Sequence, residues 1–243
     1  MTAAVAVALA VVHLLAGRLR LLDVLPRSGW LSFGGGISVA YVFVHILPAL
    51  AKNQRHFDGT ASTWIGAIEH HVYLIALVGL GVFYGLERLA RRSRGHGRSA
   101  GRSPGEAATS PGVFWIHIGT YAAYNALIGY LLLHGESPGR RELGLYTVAM
   151  AAHFVVNDYG LRQDHQRRYH DIGRWILSAA IVVGWLLGVV TSIHRAAIAA
   201  CFGFLAGGIL LNVLKEELPE ERDSTFWAFA LGAVAYAALL LLG

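Results

Sequence analysis

"VFWIHIGTYAAYNALIGYLLLH", residues 113–134, runs for 22 residues without an Asp, Glu, Lys or Arg. At 1.5 Å per residue, a helix of this length crosses the roughly 30 Å of hydrocarbon in a bilayer while bonding all of its own backbone. The same pattern recurs along the chain, giving eight expected spans at about 3–22, 31–51, 70–90, 113–134, 143–161, 172–191, 195–214 and 226–243. With 55% hydrophobic and 14% charged residues, the composition belongs to the membrane class, and the short loops leave no room for a soluble domain. The expected fold is an all-α polytopic membrane protein with one transmembrane domain over 1–243. The first run lacks a basic leader and is followed by Arg18 and Arg20, so it is expected to be a retained helix rather than a cleaved signal.

Charge sets the expected orientation. Of the 20 Lys and Arg residues, fifteen fall on odd-numbered loops and five on even-numbered ones, which predicts cytoplasmic odd loops and both termini external. Cationic loops facing an anionic inner leaflet account for the net charge of +5, so nucleic acid is excluded as a partner. The stretch 91–112, "RRSRGHGRSAGRSPGEAATSPG", reads as a disordered basic linker, its Arg-rich part 91–102 cytoplasmic. The single Cys201 is expected to pack in an apolar run.

The polar residues inside the spans carry the functional reading. In "AAHFVVNDYG" (151–160), His153 and Asn157 share a helix face and Asp158 is turned about 100° from Asn157. An ionised Asp at this depth costs a few kcal/mol, which makes the segment a candidate site. Its alternative is a cluster of interhelical hydrogen bonds that only holds the bundle together. The fourth span adds His117, Tyr121 and Asn125 at i, i+4 and i+8, a second polar stripe. Imidazole suits first-row divalent cations such as zinc, whereas amide oxygens are weaker and harder donors. His45 reads as an entry ligand or an interfacial residue, and His70 and His71 beside Glu69 as solvated surface. His165 and His170, in "QDHQRRYHDIGR" (163–174), read as solvated loop residues, and His13 as a hydrogen-bonded bundle residue.

An internal echo links "FGGGISVAYVFVHILPAL" (33–50) and "FGFLAGGILLNVLKEELPEE" (202–221), each with a Gly-Gly-Ile early and a Leu-Pro near its end. The two spans run in opposite directions under the charge-derived topology, as inverted transporter repeats do. "FVHILPAL" looks like the second-span signature of the ZIP (Zrt/Irt-like) metal transporters, with Ala49 at an acidic position. "GFLAGGILLNVLKEELPE" is similar to the family's seventh-span pattern, and Glu87 matches near the end of span three. "HFVVND" is similar to the family's span-five His-Glu-x-Pro-His-Glu. His153 is kept, and Phe154, Val156, Asn157 and Asp158 stand for Glu, Pro, His and Glu. "YNALIG" matches the span-four His-Asn-x-x-Asp-Gly with Asn125 and Gly129 kept, Tyr124 for His and Ile128 for Asp. Another register puts Tyr121 and Asn125 on the His and Asp positions.

The resemblance implies a ZIP-like 3+2+3 inverted-repeat bundle of eight transmembrane helices. It implies alternating-access transport of a zinc-type divalent ion as substrate, with no resident cofactor and no enzymatic activity. The implied metal ligands are His153, Asn157, Asp158, Asn125, Tyr121 and His117. With one carboxylate left, two divalent cations would repel strongly in low dielectric, so at most one weak site is expected. The expected partners are the lipid bilayer and a divalent metal ion, a homodimer being left open, and the expected location is the plasma (inner) membrane of a bacterium. Two rivals remain. One is a ZIP-fold sensor or structural protein with a decayed site; the other is an intramembrane metal-dependent hydrolase, in which bound metal activates water.

Overall fold

The computed structural model describes residues 1–16, 27–54, 72–99, 109–134, 139–217 and 225–241, all helix and connections with no strand among them. The described residues form eight helices. α1 is Thr2–Ala16. α2 covers 27–54, with a π-helical turn at Val42–Ile46. α3 is Val72–Ser99, α4 Pro111–His134 and α5 Arg140–His165. α6 is Tyr169–Val190, opening on a π turn at Tyr169–Gly173. α7 is Arg195–Glu217 and α8 Phe226–Leu241. Each coincides with one of the eight apolar runs.

Four segments, Gly29–Ala51, Val72–Gly95, Pro111–His134 and Tyr169–Val190, are long and apolar enough to cross a membrane. Thr2–Ala16, Ala196–Asn212 and Phe226–Leu241 are apolar but shorter, and α5 carries His153, Asn157 and Asp158 within its apolar stretch. Large apolar side chains point outward in rows, among them Leu74, Leu77 and Val78 on α3 and Val183, Leu186 and Val190 on α6. In water such rows would drive association; in lipid they are the solvent-matched face. The chain is an all-helical integral membrane protein.

The chain divides into two compact units, the first made of Met1–Arg20, Tyr84–Ser137 and Phe154–Thr191, the second of Leu21–Phe83, Pro138–His153 and Ser192–Gly243. In the first unit α4 packs along α6 through glycines. A methyl on Gly129 would overlap the Ile181 carbonyl oxygen, and one on Gly184 the Ala126 carbonyl oxygen. Such approach is what small residues permit between membrane helices. Opposite α1, Ser178 Oγ donates to the Ala10 carbonyl at 2.9 Å and Trp185 Nε1 to Thr2 Oγ1 at 3.2 Å.

In the second unit, Gly36 of α2 meets the Phe229 carbonyl of α8, and Gly232 of α8 meets the Phe33 carbonyl of α2. Likewise Gly207 of α7 meets the Ala76 carbonyl of α3, and Gly79 of α3 the Phe204 carbonyl of α7. The two Gly-Gly-Ile sequences thus each supply the glycine of a close helix contact. Tyr41, Tyr146 and Tyr236 cluster edge to face, and the Tyr236 hydroxyl donates to the Leu145 carbonyl at 2.5 Å.

These contacts also fix directions within each unit. Residue numbers rise together across α4/α6, α2/α8 and α3/α7, and oppositely across α1/α6 and α5/α8. Among these contacting pairs, helices of like parity are parallel and those of unlike parity antiparallel. Exposed indoles stand near the starts of α4 and α6 (Trp115, Trp175) and of α2 and α8 (Trp30, Trp227).

The turn before Pro48 explains its tolerance inside α2. The Leu47 N–H bonds back to the Val42 carbonyl, five residues away, and the widened turn makes room beside a proline that cannot donate and would crowd the carbonyl four residues before it.

An expectation for the basic linker is overturned. Residues 91–99, read as disordered, continue α3 as helix, and Pro111 and Gly112 belong to α4. Composition missed the partners. Arg91 Nε pairs with Glu87 Oε1 at 3.0 Å one turn back, Arg94 Nη2 with the buried Asp164 at 3.0 Å, and Ser93 Oγ accepts the Ser110 N–H at 2.8 Å. Ser110 in turn caps α4, its Oγ accepting the Val113 N–H at 3.4 Å, with Pro111 at the first helical position. The expectations for 100–108, for His70 and His71 and for the Leu218-Pro219-Glu220 ending lie outside the described residues.

Candidate functional site

The fifth helix runs unbroken through 151–160, in keeping with the absence of a proline there. Along it Phe154, Asp158, Leu161 and His165 recur at i, i+4, i+7 and i+11, and all four are buried. This face belongs to the first unit. From the buried face of α1, which carries Leu9, Ala10, His13 and Ala16, His13 reaches this face.

There His13 Nδ1 sits 2.7 Å from Asp158 Oδ2, with the two side chains 0% and 1% exposed. The other ring nitrogen, Nε2, is 3.3 Å from Asn125 Nδ2 of α4. Read as donor to acceptor, the Asn125 amide donates to Nε2 and His13 Nδ1–H donates to the carboxylate. The second edge of this group is looser. Asp158 Oδ1 and Asn125 Oδ1 are buried and close no hydrogen bond of normal geometry among the described residues, and the Tyr169 hydroxyl on the π turn of α6 interacts with Asp158 by charge and by a loose hydrogen bond. Phe154 lies over the His13 ring, centroids 4.4 Å apart. Phe154 thus shields the histidine on one face.

The α4 stripe is buried at each of its three positions, His117, Tyr121 and Asn125, so the i, i+4, i+8 reading gives the face correctly. Its two ends do different things. Asn125 joins His13 and Asp158. His117 Nδ1 is instead 2.9 Å from His165 Nε2, and His165 Nδ1 is 2.5 Å from Thr109 Oγ1. Tyr121 lies between, its ring centroid 5.2 Å from that of His117. Asn157 is buried with no hydrogen bond to its Nδ2 among the described residues, while His153, also buried, ends the second unit's share of α5.

Four participants escaped the sequence reading. His165, read as solvated loop, is buried, as are Asp164 and Thr109, and Arg94 pairs with Asp164. Their signal was present, since His165 stands two turns after Asp158 on the same face. His13 is hydrogen-bonded as expected, with Asp158 as its partner.

Burial pushes His165 down to about 3, helped by His117 and by the cations of Arg94 and Arg168 and opposed by Glu87. Unfolded, it would titrate near 6.5. Its folded value is depressed, so the contribution is complete above about pH 6.5 and is lost as pH falls toward 3, by up to about 1.4 kcal/mol per unit. Thermal unfolding in detergent between pH 7 and 4 should therefore show a falling midpoint that flattens in His165→Gln; parallel profiles in the two proteins would contradict the burial argument.

No protein-family model and no curated protein matches this sequence. Among the described residues, no group of three or more His, Cys, Asp or Glu side chains is arranged to hold a metal ion. A cation here would rest on one carboxylate with amide, phenol and imidazole donors beside it, a set weaker and richer in oxygen than a structural zinc site.

Proposed function

We propose that this protein is a membrane transporter of a divalent metal ion, of the ZIP kind, in which Asp158 and Asn125 receive the ion beside His13. The observation that carries the reading is the pair of buried oxygens, Asp158 Oδ1 and Asn125 Oδ1, that close no hydrogen bond of normal geometry among the described residues, with the Tyr169 hydroxyl beside the carboxylate as a further oxygen. A poorly paired buried carboxylate oxygen is costly, and native proteins keep such groups where an ion, water or chemistry requires them. The matched use of the two Gly-Gly-Ile sequences supports inverted repeats. Exchanging the second helix for the seventh and the third for the eighth turns the α2/α8 contact into the α7/α3 contact. Alternating access between repeat-derived bundles follows from that architecture. The positive-inside distribution supports external termini in a bacterial plasma membrane. Oxygen-rich donors favour harder first-row ions such as Mn²⁺ alongside Zn²⁺.

The single carboxylate also favours a second reading, a ZIP-fold sensor that binds without moving its ion. Calorimetric titration of Zn²⁺ and Mn²⁺ into purified protein, with uptake into proteoliposomes, separates the readings. Transport requires one saturable site and flux above empty vesicles. Binding without flux selects the sensor, and neither binding nor flux removes both.

A further inference from the structure

Beyond the group around Asp158, the first unit contains a second buried polar line that ion binding does not use. Thr109 Oγ1, His165 and His117 form consecutive hydrogen bonds of 2.5 and 2.9 Å, all three side chains buried. Both nitrogens of one imidazole are engaged, by a hydroxyl on one side and a second imidazole on the other. From His117 the α4 face continues through Tyr121 to Asn125, about 12 Å along the axis at 1.5 Å per residue, and there meets His13 and Asp158. We propose that Thr109, His165 and His117 form a proton relay leading toward the Asp158 group, and that metal movement through this protein is accompanied by proton movement along it.

The relay balances as a concerted shift. With the Thr109 hydroxyl donating to His165 Nδ1 and His165 Nε2–H donating to His117 Nδ1, a proton arriving on the Thr109 oxygen displaces the hydroxyl proton onto Nδ1. The Nε2 proton passes to His117 Nδ1, and the proton on His117 Nε2 leaves to a water molecule acting as acceptor on the Tyr121 side. One proton enters and one leaves, and both histidines end neutral in the opposite tautomer. Rotation of the hydroxyl and flips of the two imidazole rings, with no return of protons along the line, reset it.

The surroundings suit transfer rather than storage. Around His165 stand Glu87 and Arg94 from α3, His117 and the Phe114 ring from α4, and Arg168 beyond the end of α5. Arg94 is held by Asp164 and Arg91 by Glu87. Both ring nitrogens of His165 are engaged, by Thr109 and by His117, so the line is continuous through the ring. The backbone at Thr109 is fixed independently of its hydroxyl: its N–H donates to the Asp164 carbonyl at 3.2 Å, and its carbonyl accepts from Arg168 at 3.3 Å. Thr109→Val therefore removes the relay's first atom and leaves the frame.

The inference rests on the transport reading for its direction but is tested apart from it. Purified protein in potassium-loaded vesicles, with valinomycin setting the potential and a pH dye inside, is assayed without metal and then with Zn²⁺. Wild type should carry protons above empty vesicles in at least one condition. Thr109→Val and His165→Gln should lose about tenfold or more of that flux, Thr109→Ser should restore it, and Zn²⁺ binding by Thr109→Val should be unchanged. Wild-type flux no greater than empty vesicles in both conditions, or equal flux in Thr109→Val and Thr109→Ser, overturns the relay. Proton flux without metal uptake sustains the relay and removes the transport reading; metal uptake without proton flux does the reverse.

Discussion

Asp158→Asn should bind divalent metal at least about a hundredfold more weakly than wild type, because a unit charge about 4 Å from a cation is worth roughly 4 kcal/mol at an effective dielectric of 20 and a divalent ion doubles it. The amide keeps the shape of the carboxylate, and its oxygen still accepts from His13 Nδ1, so the loss falls on binding and not on folding. Asp171→Asn is the matched control. That carboxylate is 60% exposed and meets Arg167 at 3.4 Å on the surface, where a pair contributes little. Calorimetry of both variants, each confirmed monodisperse, reads the difference. Equal metal affinity in Asp158→Asn and wild type would remove Asp158 from the site.

Gly184→Ala should abolish or severely reduce folded protein, with a cost of at least about 3 kcal/mol, above the usual range for overpacking because the obstacle is backbone. The added methyl would overlap the Ala126 carbonyl oxygen, and neither helix has a side chain that could turn aside. Gly119→Ala, on α4 with open space where its Cβ would stand, should instead be neutral or stabilising by up to about 1 kcal/mol through helix propensity. Thermal unfolding and size-exclusion profiles of the pair test the claim; a Gly184→Ala protein as stable as wild type would show that α4 and α6 do not touch there.

Most of the helix map is legible in the sequence because lipid imposes one rule, an uncharged run of sufficient length. That rule works for 113–134 and fails at 91–99, where arginines and glycines look solvated until Glu87, Asp164 and Ser110 are seen beside them. The candidate site divides the same way. Spacing on a single helix gives the His117, Tyr121, Asn125 face, since periodicity is local. The partners of those residues depend on which helices adjoin, so nothing in α1 marks His13 as the companion of Asp158, and the His117–His165 pair is 48 residues apart in sequence. His165 was obscured by its charged neighbours Asp164, Arg167 and Arg168, which suggest water.

The exposed tryptophans set how deep each unit floats. Because α4 runs parallel to α6, Trp115 and Trp175 mark one end of that pair, and Trp30 and Trp227 likewise mark one end of the parallel α2 and α8. Indoles settle at the headgroup level, where the ring is in contact with hydrocarbon and the N–H with water. Each unit therefore carries a two-point waterline at one end, with exposed aliphatic side chains such as Val190 and Leu241 toward the other, joined in the second unit by Tyr73. Bobbing along the bilayer normal would pull two rings out of their preferred layer at once, whereas tilting about the line that joins them would disturb neither, so rocking is the softer motion for both units.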